Sequence, residues 1–331
     1  MLKNSDPKNL AHNILKLSDF FIENPASETP WNEPWAQEAY LNYFHPLNLE
    51  RITSVFQEAT SLGFFKDLDH FIDFGAGLGA ATQAFLNLEP SPSIASTLTS
   101  PTLPSMHMVL IEKSQQAQDL AKKMFPPNVK LNWHQQIPDT LKKKSSNKSV
   151  FVFSYSFTEI ETLPKEALLA EALVFLEPST RQDGRNLMSL RSQLIQKGFY
   201  IWAPCVHQND CPLLTQSKSD WCHHRIKYEA PQAFRSIEEY LPMKNKTLTY
   251  SYLLARKTQP PEHLKSKTRV IGDILDEKGK TRVAICKGSE REYLSWLKRN
   301  KAPFEIQRGQ LIELPTQLEK KGNELRIVSC P

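Results

Sequence analysis

The stretch Phe71 to Phe85, F-I-D-F-G-A-G-L-G-A-A-T-Q-A-F, constrains this chain more than any other. Apolar and β-favouring residues run into Asp73, glycines alternate at Gly75, Gly77 and Gly79, and a small-residue helical pattern follows. The spacing predicts strand, tight turn and helix. Glycine lets the backbone turn sharply and approach a ligand, because a Cβ would block φ > 0 or fill the space. The helix behind offers free N–H groups, which makes a nucleotide-like cofactor the natural occupant. A glycine turn with no ligand is the plain alternative.

The dinucleotide pattern G-x-G-x-x-G/A is met by Gly75, Gly77 and Ala80, but it needs an acidic residue at a strand end about 20 positions later. None stands there. The alternating form D-x-G-x-G-x-G instead resembles the first motif of class I S-adenosylmethionine-dependent methyltransferases. In that family the next strand ends in an acidic residue that takes both ribose hydroxyls, and here M-V-L-I-E ends at Glu112. A Pro/Ser/Thr-rich insertion over residues 87–106 accounts for the extra distance as a loop.

The remaining periodicities predict an α/β fold with a doubly wound sheet. Strands are expected at 70–74, 107–112, 129–134, 149–155, 172–177, 199–204 and 247–255. Helices are expected at 79–87, 114–124, 136–143, 162–170 and 185–197. Seven strands in that order match the class I methyltransferase (Rossmann-like) core, whose last strand inserts antiparallel. Ligands sit at the carboxyl ends of the early strands in such sheets, which places Gly75 to Gly79, Glu112 and the loop Ser154-Tyr155-Ser156 around one crevice. Ahead of the core, 7–24 and 46–62 have helical periodicity. The aromatics between and within them, Trp31, Trp35, Tyr40, Tyr43 and Phe44, either pack these helices onto the core or stack on RNA bases. The expected domains are an N-terminal helical region (1–66), the methyltransferase core (67–258) with a cysteine-rich insertion (205–227), and a small basic β-rich domain (259–331).

The second informative block follows the strand F-Y-I-W-A-P. It is C-V-H-Q-N-D-C-P-L-L-T-Q-S-K-S-D-W-C-H-H-R, carrying Cys205, Cys211 and Cys222 with His207, His223 and His224. Thiols in one loop of a cytosolic protein are oxidisable, so soft-metal ligation is the economical reading. Cys286 in K-T-R-V-A-I-C-K-G offers a fourth thiol, while Cys330 stands one residue from the chain end. Four thiolates suit an iron–sulfur cluster or a structural zinc, and the spacing does not choose between them. Two alternatives stand beside metal. The cysteines are among the most buried residue types and can be plain core, and Ala203-Pro204-Cys205 resembles the nucleophile motif of RNA cytosine-5 methyltransferases.

Taken together, D-F-G-A-G-L-G, S-Y-S-F-T-E-I at 154–160, L-V-F-L-E-P-S-T at 173–180 and the cysteine block with its Trp-Cys-His resemble one family. It is the family of methyltransferase-like proteins associated with the mitochondrial small ribosomal subunit, which also has many bacterial members. The resemblance covers roughly residues 40–290. It implies a class I fold that binds S-adenosylmethionine and acts on or near small-subunit ribosomal RNA. It also implies a four-iron four-sulfur cluster held by Cys205, Cys211, Cys222 and Cys286. The cofactor would be lined by Asp73, Gly75, Gly77, Gly79, Glu112 and Ser154. After the fourth strand this chain has Ser154-Tyr155-Ser156-Phe157, not the Asn/Asp-Pro-Pro-Tyr/Phe that grips a target nitrogen. No catalytic base is identified, and Glu159 and Glu177 are the nearest acidic candidates. A non-catalytic RNA-binding assembly factor that keeps the cofactor pocket is the alternative function.

Charge adds a partner. The chain of 331 residues has a net charge of +5 and a pI near 8.8, which favours an anionic partner without demanding one. Lys142, Lys143, Lys144 and Lys148 cluster in one loop. Lys265, Lys267, Arg269, Lys278, Lys280, Arg282, Lys287, Arg291, Lys298, Arg299 and Lys301 load the C-terminal part. Such a face either neutralises phosphate of small-subunit RNA or an assembly intermediate, or is an ordinary solvated face. No apolar run approaches a membrane span, and the N-terminus has no apolar targeting segment. A cytoplasmic monomer without membrane contact is expected.

Overall fold

The computed structural model describes residues 6–88, 106–143, 148–299 and 305–328. Residues 89–105 of the expected insertion, Lys144, Lys301 and Cys330 lie outside the described residues, as do the side chains of Lys142 and Lys143. The chain forms two compact units, 1–177 with 226–248 and 178–225 with 249–331.

In the first unit, α1 (Pro7–Glu23) begins where the Asp6 carboxylate accepts the Asn9 N–H and Pro7 takes the first turn, where its missing N–H costs nothing. Leu10, Ile14 and Leu17 are its buried stripe. α2 (Pro34–Ala39) passes through one π turn at Tyr40–Phe44 into α3 (His45–Ser61). The N-terminal aromatics pack. Tyr43 stacks on Phe234 with centroids 5.4 Å apart, and Phe44 meets Tyr43 edge-on at 5.5 Å. Tyr43 is buried in the core that covers α1 and α2, and Trp35, Tyr40 and Phe44 pack partly buried against it.

β1 (His70–Phe74) pairs in parallel with β2 (His107–Ile111), which carries β3 (Asn132–His134). On the other side β1 pairs with β4 (Ser149–Ser154), and β4 with β5 (Ala172–Glu177), all parallel. The order β3-β2-β1-β4-β5 is that of the class I methyltransferase sheet. β4 and β5, V-F-V-F and A-L-V-F-L at their centres, are buried along their length, as strands covered on both faces must be. α4 (Ala80–Leu86), α5 (Gln115–Lys122), α6 (Asp139–Lys143) and α7 (Lys165–Leu169) lie between successive strands. β3 starts later than the periodicity suggested because the Val129 N–H is spent on a turn to Pro126 O. α7 is shorter because Pro164 stands before its first turn.

The second unit opens with α8 (Arg181–Gln196) and β6 (Tyr200–Ala203), followed by the short α9 (Pro212–Thr215). β7 (His224–Lys227) leads back to the first unit, where α10 (Gln232–Glu238) buries Phe234 and Ile237. β8 (Thr247–Arg256) then runs antiparallel to β6, the orientation expected of the last core strand. The C-terminal part is β-rich as expected. β9 (Lys267–Val270), β10 (Leu275–Glu277), β11 (Lys280–Cys286), β12 (Glu292–Leu297), β13 (Leu311–Glu313), β14 (Leu318–Lys321) and β15 (Glu324–Ile327) form one sheet. Its path is β13-β9-β11-β12-β15-β14, with β10 on β11, around a core that includes Val270, Val283, Ile285, Leu294 and Trp296. Among the described residues no helix is long and apolar enough to cross a membrane.

Candidate functional site

At the end of β1 the glycine turn has the conformation its sequence demands. Gly75, Gly77 and Gly79 have φ of 68°, 52° and 77°. The Gly75 and Ala76 N–H groups both donate to Ile111 O, at 2.9 and 3.0 Å, which fastens the turn to the end of β2. A Cβ on Gly75 would sit 2.4 Å from Ser156 Cβ. Glu112 accepts the Gly77 N–H at 2.8 Å on Oε2 and the Ser114 N–H at 2.8 Å on Oε1. Burial raises its carboxyl pKa, and those N–H groups counter the shift.

These parts border one cavity of about 480 Å³, within the range of small-molecule sites. Gly75, Gly77 and Glu112 line it as expected, together with Phe74 and Ser156. Trp31 and Tyr40 supply aromatic walls that the sequence reading had assigned only to packing or RNA. Their rings lie 4.8 Å apart, edge to face. Among the described residues the lining holds the carboxylates of Glu28, Glu112, Glu159 and Glu166 against a single cationic side chain, Lys113, which pairs with Glu28 at 2.7 Å. Partial loss of water, with Glu112 and Glu28 beside it, raises the Glu159 carboxyl.

Three expected site residues lie away from the cavity wall. Asp73, 1% exposed, accepts the Thr82 N–H at 3.2 Å and the Thr82 hydroxyl at 2.8 Å, so it caps the start of α4 from below. Burial pushes its carboxyl up to about 7 against those two hydrogen bonds. Gly79 faces Phe125 and Leu110, where a Cβ would meet Phe125 Cζ at 2.7 Å. Ser154 ends β4 in register with Leu176, and its neighbour Ser156 takes the cavity position.

The loop after β4 turns inward. Tyr155 holds a positive φ of 59° and donates its N–H to Leu176 O at 2.7 Å. Ser156 Oγ donates to Phe74 O at 2.6 Å, and Phe157 packs edge-on against Phe175 at 5.4 Å. Glu177 is fully buried, not a solvated sheet-edge carboxylate, and its Oε1 accepts the Phe157 N–H at 3.0 Å. It shapes the loop from beneath.

In the second unit, Cys205, Cys211, Cys222 and Cys286 are free thiols lining one small cavity of about 30 Å³. α8 supplies one wall through Gly184, Leu187, Met188 and Arg191, the i, i+3, i+4, i+7 stripe of a helix face. The Cys222 N–H donates to Met188 Sδ at 3.4 Å, and Ser251 Oγ donates to Cys222 O at 3.0 Å. Burial holds the Cys211, Cys222 and Cys286 thiols above their ordinary range, and the nearby Cys205 adds to it. Of the histidines, His207 brings Nε2 within 3.3 Å of Cys286 Sγ, whereas His223 stacks on Trp221. Among the described residues no group of three or more His, Cys, Asp or Glu side chains is arranged to hold a metal ion.

The C-terminal basic residues are largely engaged with acids of their own unit. Lys267 pairs with Glu313, Lys280 and Arg282 with Glu277 and Glu324, Lys287 with Glu292, Arg291 with Asp220, and Lys298 with Asp276. Arg269 is buried, donating to Pro204 O and Gly309 O at 2.8 and 2.6 Å. The charge run is therefore mostly a paired surface among the described residues.

A family model described as mitochondrial small ribosomal subunit Rsm22 matches residues 37–301. Among solved structures, precorrin-6y C5,15-methyltransferase from Geobacter metallireducens GS-15 is 13% identical, with 60% of this chain and 88% of that chain covered and a TM-score of 0.34. Magnesium protoporphyrin IX methyltransferase from Synechocystis PCC 6803 is 10% identical, with 78% and 100% covered and a TM-score of 0.33. Among curated proteins, none matches.

Proposed function

The chain belongs to the Rsm22 family of the mitochondrial small ribosomal subunit, and from that premise we propose an S-adenosylmethionine-binding, methyltransferase-like protein that acts on ribosomal RNA or the assembling small subunit. The observation that carries the cofactor part is the glycine turn locked to Glu112 at the wall of a 480 Å³ cavity. The donor set fits: a close-approach backbone, an acidic strand end for ribose hydroxyls, two aromatic walls, and an excess of carboxylates suited to a ligand with positive charge. When bound, the cofactor supplies a methyl group on a sulfonium, open to displacement. Glu112 would accept the ribose hydroxyls while its backbone partners keep the carboxylate aimed. Gly75 and Gly77 would admit the methionine portion. Asp73 and Gly79 would act on the turn, Asp73 by holding α4 and Gly79 by letting Phe125 close in.

Displacement at a sulfonium depends chiefly on positioning, so a site with no marked base can still transfer a methyl group. One observation favours the non-catalytic alternative. The loop that would grip a target is spent inward, with Ser156 on Phe74 O and Phe157 on Phe175. Calorimetry with S-adenosylmethionine, followed by methyl incorporation into small-subunit RNA and assembly intermediates, separates the readings. Binding with incorporation supports an enzyme, and binding without it supports an assembly factor. Absence of binding overturns the cofactor reading.

For the second unit, we propose a four-iron four-sulfur cluster held by Cys205, Cys211, Cys222 and Cys286, in a reducing cytoplasm. Its support is four free thiols and a buried cation at one cavity. The cluster would cross-link the segment after β6 to β11 and so stabilise this unit. Anaerobic protein with about four irons and visible absorbance that Cys205→Ser abolishes is the expected result. One zinc per chain would replace the cluster, and no metal would leave the cysteines as core.

A further inference from the structure

Arg191 is the largest of the fully buried side chains, 2% exposed on α8, and the cofactor cavity makes no use of it. A guanidinium keeps its charge in a protein, and removing it from water costs free energy unless anions and acceptors meet it. Among the described residues Arg191 has no carboxylate partner. Its Nε donates to Cys205 Sγ at 3.2 Å and its Nη2 to His207 O at 2.8 Å. The same His207 brings Nε2 within 3.3 Å of Cys286 Sγ. One side chain thus touches the first cysteine directly and reaches the fourth through a single residue. The rest of its helix face at the cavity, Gly184, Leu187 and Met188, is uncharged. With all four thiols neutral, this cation would stand unmatched; with thiolates around a metal group, it is matched.

We propose that Arg191 is the built-in counter-cation of the group held by Cys205, Cys211, Cys222 and Cys286, and that it sets how firmly the group is retained and how readily it is reduced. The inference rests on the metal reading above. Four thiolates on such a group give it net negative charge, and an added electron increases that charge. A fixed buried cation therefore favours the reduced form, and hydrogen bonds to the sulfurs act in the same direction. His207 is placed as a positioning residue, held by Arg191 through its carbonyl.

The test uses the full chain, loaded anaerobically with iron and sulfide, as wild type, Arg191→Lys and Arg191→Met. Iron content and a dithionite titration followed by electron paramagnetic resonance give loading and midpoint potential. Arg191→Lys is expected to load and stay close to wild type, and Arg191→Met to load less and reduce at a lower potential. Arg191→Gln, which keeps N–H donors without the charge, serves if Arg191→Met misfolds. A charge-free variant with the wild-type potential overturns the inference alone. Loading lost equally in Arg191→Lys and Arg191→Met, with unchanged far-ultraviolet circular dichroism, also overturns it. If wild type takes up only zinc, release to a chelator is the readout: faster release from Arg191→Gln supports the inference and equal release overturns it. Wild-type protein that holds neither group overturns the metal reading, and this inference with it.

Discussion

The backbone N–H of Gly77 donates to Glu112 Oε2 at 2.8 Å, so the glycine turn after β1 and the acidic end of β2 form one rigid unit across 35 residues of sequence. The contact makes Glu112 both a support and a ligand group. Gln at 112 offers one carbonyl oxygen where two carboxylate oxygens now accept N–H groups, and hydrogen bonds to a charged group are worth about 1.5–3 kcal/mol. Glu112→Gln is expected to weaken S-adenosylmethionine binding about tenfold or more by calorimetry, with a small fall in melting temperature. Affinity equal to wild type would restrict Glu112 to supporting the turn.

Gly75 is held at φ 68° with Ser156 Cβ 2.4 Å from where its own Cβ would stand. Both effects act on Gly75→Ala. Backbone strain and overpacking each cost roughly 1–3 kcal/mol. Chemical denaturation should show a loss of that order, and the cavity should lose cofactor binding because Ser156 must shift.

Asp73 gives a pH signature. Its carboxyl is raised in the folded state to about 7 from an ordinary 3.8, so the native state binds the extra proton between those values. The stability this contributes is fully present below about pH 4 and is lost as pH rises through about 7. Melting temperatures of wild type and Asp73→Asn, compared at pH 5 and pH 8, should differ more in favour of wild type at pH 5. A difference that does not change with pH would contradict the burial argument.

Gly184 lets α8 approach the cysteine loop. A Cβ there would lie 2.6 Å from Trp221 Cδ1 and 3.2 Å from Cys222 O. Gly184→Ala should cost about 1–3 kcal/mol by overpacking, despite the better helix propensity of alanine. Faster hydrogen exchange at residues 221–223, read by mass spectrometry, would locate the damage.

Tyr43 distinguishes core from RNA contact. It is buried, stacked on Phe234, and accepts from Asn245 Nδ2 at 2.7 Å. Tyr43→Ala should destabilise by about 3–5 kcal/mol, as large aromatic truncations do. RNA affinity measured well below its melting temperature should stay near wild type.

Local pattern was enough for the strands of the core sheet and for the turn and acidic strand end that border the first cavity, but not for α2, α9, β7 or α10. The run F-I-D-F-G-A-G-L-G has one plausible backbone, since alternating glycines after an apolar strand leave little but a tight turn into a helix. M-V-L-I-E likewise announces a strand with an acid at its ligand end. Asp73, Gly79 and Ser154 show the limit: the motif marks which residues share a neighbourhood, not which atoms face the space. Asp73 spends Oδ2 on the Thr82 N–H and hydroxyl, nine positions on, and Ser156 takes the place expected of Ser154.

Tertiary structure alone decided the cavity walls and the setting of the cysteines. Trp31 and Tyr40 border the cavity from far upstream, and no spacing rule links them to a glycine turn at 75–79. Arg191 carries no motif at all, sitting in a helix whose sequence reads as ordinary amphipathic surface. The cysteine loop looked like an insertion in the core, yet it belongs with α8 and the C-terminal sheet in one compact unit. The physical reason is range. Backbone preference and hydrophobic period act over a few residues and are written in the chain, whereas burial, and the charge a buried group must find, depend on which distant segments close around it.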